Sequence, residues 1–210
     1  DYFKTEHELV RHGNRFLFGD HGFLFVAAVN PHQENEVSLR VSREREVPHK
    51  SGKGMVRHHR FKTAILPVEL TEHSYTILDT SEGSFFLHVN HGDYHTARAA
   101  PLPRRPHAAL TRPSAQGYGN IYLSDSEGLR FSLSLRNNKR DAQGRCDFEK
   151  LQGIEGVYIT NEQLNADAES TNEKPRLRTK ISFDKGGKWS ILKPPPTNNV
   201  GRDFQCRADE

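Results

Sequence analysis

The stretch that decides the fold is ISFDKGGKWSIL, residues 181–192. Its flanks, Lys180-Ile181-Ser182-Phe183 and Trp189-Ser190-Ile191-Leu192, read as strands, and the five residues between them, Asp-Lys-Gly-Gly-Lys, are turn formers. Asp hydrogen-bonds its own backbone in tight turns and Gly supplies positive φ, so the segment predicts a β-hairpin. A plain hairpin has no use for Trp189 three residues beyond Gly186. The indole predicts a turn folded back and anchored on its own hydrophobic plug.

The same plan recurs upstream. Aligning Gly83, Gly128 and Gly186 gives the windows DTSEGSFF (79–86), SDSEGLRF (124–131) and SFDKGGKW (182–189). Each has a polar residue four before the glycine, Ser or Asp two before it and an aromatic three after it. The positions are Asp79, Ser81, Gly83 and Phe86; Ser124, Ser126, Gly128 and Phe131; Ser182, Asp184, Gly186 and Trp189. The glycines lie 45 and 58 residues apart, the period of a four-stranded propeller blade with variable loops.

The rest of the chain agrees. Strands are predicted in RFLFGDHGFLFVAAV (15–29), around Gly19–Gly22; in EVSLRVS (36–42), with Val37, Leu39 and Val41 on one face; and in YTILDTSEGSFFLHVNH (75–91). GNIYLSDSEGLRFSLSL (119–135), EGVYIT (155–160) and LRTKISFDKGGKWSIL (177–192) complete the set. Loops rich in Pro and charge are expected at 43–60, 98–117, 137–147, 165–176 and 193–199, and no segment reads as helix. The fold class is therefore all-β, with about four blades of a large β-propeller in 210 residues. An open arc of blades leaves raw edges, so residues 1–210 read as part of a propeller that continues beyond both ends.

Composition narrows the function classes. The chain has 34% hydrophobic residues, 12 Phe and 6 Tyr, and a formal net charge of +3 with no uniform Lys/Arg run, which argues against a nucleic-acid partner. It carries no N-x-S/T sequon, no apolar run of membrane-spanning length and no signal peptide at Asp1-Tyr2-Phe3-Lys4. Cys146 and Cys206 are too few to fix a redox compartment. Ser residues abound but none sits in a G-x-S-x-G elbow, and Asp147/Glu149 is a carboxylate pair without a discernible pocket, so no catalytic residues are assigned.

The repeated window resembles the Asp-box, S-x-D-x-G-x-x-W, which Ser182, Asp184, Gly186 and Trp189 match at every defined position. By that resemblance Ser182 and Asp184 tie up backbone amides of the turn, Gly186 permits the bend and Trp189 plugs the hairpin, a structural role. Ser81 and Ser126 stand where the other two windows would have Asp, so those turns are expected to carry less charge. More specifically, FEKLQGIE followed by GVYIT, ISFDKGGKW and LKPP resembles the sortilin family of vacuolar protein sorting receptors, closest to its fungal and protist branch. LRVS, FKTAILP, YTILDTSEGSFFLHVNHG and GNIYLSDSEGLRFSLSL fall in the family's order, over roughly residues 20–206.

That resemblance implies a luminal ten-bladed propeller in a single-pass membrane protein of Golgi and endosomes, with its span outside this segment. Such receptors carry cargo proteins to endosomes, vacuoles or lysosome-like organelles without a cofactor. It also implies peptide cargo held in the propeller tunnel, its C-terminal carboxylate on an Arg with hydroxyl neighbours. The corresponding positions are Tyr158, Ser132, Ser134 and either Arg130 or Arg136. Cys206 would pair with a cysteine beyond residue 210, which leaves Cys146 without a role. Residues 43–60 are an insertion relative to the family, a basic loop expected to be a solvated excursion.

His88, His91 and His95, with Asp93 among them, have the types of a metal site but not the spacing, since His88 and His91 start on opposite faces of a strand; no metal is expected. Protonating all 12 His would carry the formal charge from +3 to +15, which allows pH-dependent ligand release as a hypothesis. Ligand affinity unchanged between neutral pH and pH 5.5 removes that hypothesis. Two other functions are compatible with the sequence. One is an Asp-box hydrolase of the sialidase type, for which this chain lacks an R-I-P strand; the other is a propeller scaffold for protein assembly.

Overall fold

The computed structural model describes residues 5–7, 10–32, 36–48, 55–72, 74–90, 117–141, 143–166 and 174–203. Among them the secondary structure is strand, with one three-residue 3-10 turn at Asp20–Gly22. The chain forms two compact units, residues 1–87 with 122–132, and residues 88–121 with 133–210.

The first unit holds β1 (Thr5–His7), β2 (Gly13–Phe18), β3 (Phe23–Val29), β4 (Glu36–Arg43), β5 (Arg45–Pro48), β6 (Met55–His59), β7 (Lys62–Thr63), β8 (Leu70–Thr71) and β9 (Tyr75–Asp79). Its main sheet runs β2-β3-β4-β7, with β8 also paired to β4. Alternation on β4, where Val37, Leu39 and Val41 are buried between half-buried Glu36, Ser38 and Arg40, marks the core face. Phe23, Phe25 and Ala27 of β3 and Val37, Leu39 and Val41 of β4 are all buried. The Phe85 ring stands edge-on to Phe23 at 4.6 Å and to Phe25 at 4.2 Å, the arrangement that aromatic quadrupoles favour. Each such side chain contributes about 1.5–3 kcal/mol by leaving water. On the opposite face, register sets Phe16, Val26 and Arg40 in one cross-strand row and Gly13, Ala28 and Ser38 in another.

Three strands pass through both units: β10 (Phe86–Asn90), β11 (Gly117–Ser124) and β12 (Phe131–Arg140). The second unit adds β13 (Phe148–Lys150), β14 (Tyr158–Gln163), β15 (Leu177–Ser182) and β16 (Ser190–Ile191), in the order β16-β15-β14-β12-β11-β10 with β13 also on β14. β14 and β15 pair antiparallel over six positions, from Tyr158↔Ser182 to Gln163↔Leu177. A polar knot is buried among them. Asn138 Nδ2 donates to the Asp147 carbonyl at 2.9 Å and to Thr160 Oγ1 at 2.7 Å, while the Thr160 hydroxyl donates to the same carbonyl at 2.6 Å. Such bonds offset the cost of burying amide and hydroxyl groups.

The all-β reading holds among the described residues, with two differences. Residues 43–60, expected as a loop, contain the β5–β6 hairpin, with Val47 opposite Val56 and β6 also paired in parallel to β1. In the sequence, the turn formers Ser51-Gly52-Lys53-Gly54 separate the two strands. The loop expected from residue 137 begins later, because β12 runs on to Arg140. It does so through an irregularity: Asn137 takes a left-handed φ of 54°. That residue resets the alternation, so exposed Arg136 is followed two positions later by fully buried Asn138.

Candidate functional site

The turns are built from their own side chains. In the C-terminal window Ser182 Oγ accepts the Gly186 N–H at 2.8 Å and donates to Asp184 Oδ1 at 2.8 Å, and Asp184 Oδ1 accepts the Lys188 N–H at 2.9 Å. The Lys188 amide, then the Ser182 hydroxyl, hold the Asp184 carboxyl below the ordinary carboxylate range. Trp189 does not plug its own hairpin alone. Its indole N–H donates to Ser134 Oγ on β12 at 2.9 Å, and its ring meets Phe148 edge-on at 6.5 Å.

The other two windows differ from the expected pattern. Around Gly128 the carboxylate comes from Asp125, one position before Ser126: Asp125 Oδ1 accepts the Leu129 N–H at 2.9 Å, and its carbonyl accepts the Gly128 N–H at 3.0 Å. Ser124 Oγ instead accepts the Phe85 N–H at 2.9 Å, a link between neighbouring hairpins. Ser126 is exposed. In the first window Asp79 is the acceptor, taking the Ser81 N–H at 3.2 Å and the Ser81 hydroxyl at 2.9 Å; Phe86 and Phe131 are buried. Gly83, Gly128 and Gly186 all have positive φ, between 71° and 78°.

Two further turns follow the Asp125 scheme where no window was read. Asp141 Oδ1 accepts the amides of Gln143 and Arg145, and Asn198 Oδ1 those of Val200 and Arg202. In both, the glycine three residues on has positive φ and its N–H reaches the first residue's carbonyl. The signal was in the sequence as Asx-x-x-Gly, a type I turn closed by a left-handed glycine.

The five residues expected at a ligand divide into two groups. Tyr158 is fully buried and stacks on Phe148 with centroids 5.3 Å apart. Ser134 gives its hydroxyl proton to the Gly186 carbonyl while accepting from Trp189. Both are part of the second unit's packing. Ser132, Arg136 and Arg130 are exposed; Ser132 and Arg136 lie on β12, whereas Arg130 precedes it and its carbonyl closes the Asp125 turn at 2.9 Å.

His88 is completely buried, and His91, Asp93 and His95 lie outside the described residues. No group of three or more His, Cys, Asp or Glu among the described residues is placed to hold a metal ion. Cys146 is a free thiol, and burial pushes its pKa up to about 12, with Arg140 opposing the shift. Cys206 lies outside the described residues. No helix of the described residues is long and apolar enough to cross a membrane.

Comparison with known proteins gives the lineage of this arrangement. The Sortilin-Vps10 family model (sortilin, neurotensin receptor 3) matches residues 107–210. The vacuolar protein sorting/targeting protein PEP1 of Saccharomyces cerevisiae is 28% identical over 212 residues, covering 99% of this chain and 11% of its own length. Vacuolar protein sorting/targeting protein 10 of Talaromyces stipitatus is 28% identical over 190 residues, covering 89% of this chain and 10% of its own. That of Arthroderma benhamiae is 32% identical over 140 residues, 66% and 8% respectively. The chain thus spans about a tenth of the length of the curated relatives it matches. The family model on residues 107–210 and the relatives along nearly the whole chain support a segment of the sortilin–Vps10 family, and the all-β architecture of antiparallel hairpins is consistent with part of a β-propeller.

Proposed function

We propose that this chain is a ligand-binding part of the luminal region of a transmembrane sorting receptor that carries cargo proteins from the Golgi to endosomes, vacuoles or lysosome-like organelles. The observation that carries the reading is an alignment over 99% of the chain, at 28% identity, with a protein named for vacuolar sorting and targeting. The role needs neither catalytic residue nor cofactor, because recognition and release by binding energy suffice. The membrane span lies in another part of the protein, and Cys206 pairs with a cysteine past residue 210.

Arg136 is the residue we assign to a cargo carboxylate. Its exposure on β12, two and four residues from Ser134 and Ser132 along the same strand, supports the choice. Arg is suited to the task, since its planar fork offers two parallel donors and keeps its charge at any cellular pH. Ser132 is the hydroxyl neighbour, with no hydrogen-bond partner for its side chain among the described residues. Arg130 serves the turn that its carbonyl closes, and Tyr158 and Ser134 support the site from within the unit.

The test is a binding titration with short cargo-derived peptides in two forms, free acid and C-terminal amide. The free acid should bind at least about tenfold tighter, a difference of about 1.4 kcal/mol, and Arg136→Gln should erase it. Equal affinity for the two forms rejects the carboxylate assignment. Membrane fractionation of the native source with an antibody to this chain tests the receptor reading itself. A large species released only by detergent agrees with it, and a soluble band near 24 kDa overturns it.

A further inference from the structure

The first unit has a cleft of about 500 Å³ on the face of its main sheet opposite the core, lined by Arg11, His12, Asn30, Glu36, Arg40 and Phe61 among others. Its floor is the polar side of β4. Glu36, Ser38 and Arg40 alternate with the buried Val37, Leu39 and Val41 and are each half-buried. Glu36 is committed, its Oε2 accepting Asn30 Nδ2 at 2.6 Å. The Arg40 guanidinium is not: it has no hydrogen-bond or ion-pair partner among the described residues, and neither has that of Arg11. A half-buried cation without a counter-charge has already lost part of its hydration, so an arriving anion meets a reduced desolvation cost.

The surroundings specify what kind of anion. Register sets Arg40 in one row with Val26 and Phe16, and Phe16 and Phe18 meet edge-on at 5.9 Å while remaining 72% and 69% exposed. Val10, Ala28, Val29 and Pro31 line the cleft as well. Glu36 would repel a dianion such as a phosphate monoester more strongly than a single carboxylate, which can pair with Arg40 while its apolar chain meets the apolar part of the lining. Neighbouring strands are about 4.8 Å apart, so Phe16 lies about 10 Å across the sheet from Arg40. Side chains two apart on an extended chain are about 7 Å apart, and long side chains make up the remainder.

From this geometry we infer that the cleft binds an acidic side chain within an extended apolar peptide, its carboxylate on Arg40 and its aromatic neighbour on Phe16 and Phe18. The site deepens the cargo-receptor reading by adding a second point of recognition, and it engages an internal residue rather than a chain end. Gly13, in the neighbouring row, keeps this face low. A Cβ there would stand 3.0 Å from Val26 Cγ1.

The test uses the whole chain and a peptide blocked at both ends, acetyl-Phe-Leu-Glu-Leu-Phe-amide, beside its Gln counterpart, read by calorimetry. The blocked ends remove any C-terminal carboxylate, so this result and the free-acid test fail independently of one another. The Glu peptide should bind at least about tenfold tighter than the Gln peptide. Arg40→Gln should abolish that ratio, Arg136→Gln should preserve it, and Glu36→Gln should tighten binding severalfold by removing a like charge. Equal affinity for the two peptides overturns the proposal, as does an unchanged ratio in Arg40→Gln. So does sedimentation showing a dimer that Phe16→Ser/Phe18→Ser dissociates, because the face would then belong to a second copy. If Arg40→Gln fails to fold, loss of tightening in Glu36→Gln overturns it by itself.

Discussion

The indole N–H of Trp189 and the hydroxyl of Ser134, 55 residues apart in sequence, meet at 2.9 Å. Ser134 passes its own proton to the carbonyl of Gly186, so the turn, the tryptophan after it and strand β12 are joined through one oxygen. Trp189→Phe keeps most of the apolar contact and loses the donor. It should cost about 1 kcal/mol in urea denaturation of the chain, and Trp189→Ala about 3 kcal/mol or more. A double-mutant cycle with Ser134→Ala should give a coupling near the hydrogen-bond value; additive losses would mean that the bond contributes nothing to stability.

The carboxyl groups of Asp184 and Asp141 are held below their ordinary range, foremost by the backbone amides of Lys188 and Arg145 respectively. A carboxyl depressed in the folded state stabilises fully above its unfolded value, near 3.9, and loses that contribution as pH falls through its folded value. Stability should therefore decline below about pH 5, and Asp184→Asn should flatten part of that decline. Carbon-13 titration of the two side chains should place both midpoints below the free Asp value, and midpoints at or above it would contradict the turn geometry.

Burial raises the Cys146 thiol to about 12, so almost no thiolate is present at pH 8. Iodoacetamide should label Cys146 slowly in the folded chain and rapidly in urea. The shift also favours the folded state only below the unfolded thiol value, near 8.5, and that stabilisation should fade as pH rises from there toward 12. Mass spectrometry of labelled peptides reads the first effect. Equal labelling rates with and without urea would show an exposed thiol.

Gly83 and Gly128 share a left-handed φ, 75° and 71°, but differ in their surroundings. A Cβ at Gly83 meets nothing within 4 Å, whereas one at Gly128 would stand 2.3 Å from Phe85 Cε2 and 3.1 Å from Val41 Cγ1. Gly83→Ala should cost only the backbone penalty of about 1–2 kcal/mol. Gly128→Ala should cost that plus the displacement of a core ring, about 3 kcal/mol or more in total. Similar thermal shifts for the two variants would contradict the packing around Phe85.

Much of the fold was legible because strand alternation and turn chemistry are local. Val37, Leu39 and Val41 announce their face by spacing alone, and the turn glycines by their neighbours. The assignment within windows was less so. Aligning on glycine put Ser126 at the carboxylate position, but what a turn needs is an oxygen at its first residue, and Asp125 supplies it. The β5–β6 hairpin was hidden by its charge, since Arg and His score as loop even when backbone pairing holds them in strands.

The residues proposed to meet a ligand show where sequence reading stops. Ser134 and Arg136 look equivalent on an alternating strand, yet one hydroxyl is spent on Gly186 and Trp189 while Arg136 stays exposed. The left-handed Asn137, which reverses the faces directly after Arg136, leaves no signature in composition. The Arg40 cleft was invisible for a related reason. It depends on Asn30 having already taken Glu36, a contact across the β3–β4 connection that no spacing rule predicts.

The turns at Asp125, Asp141, Asp184 and Asn198 each bond an amide four residues ahead through their own side chain. A loop this short closes without waiting for distant sequence, and hairpins form within about 1–10 μs, whereas ribosomes add about 5–20 residues per second. Each hairpin can therefore be folded while the next is still being made. The order of synthesis becomes the order of assembly, and each new strand is delivered to an edge that already exists.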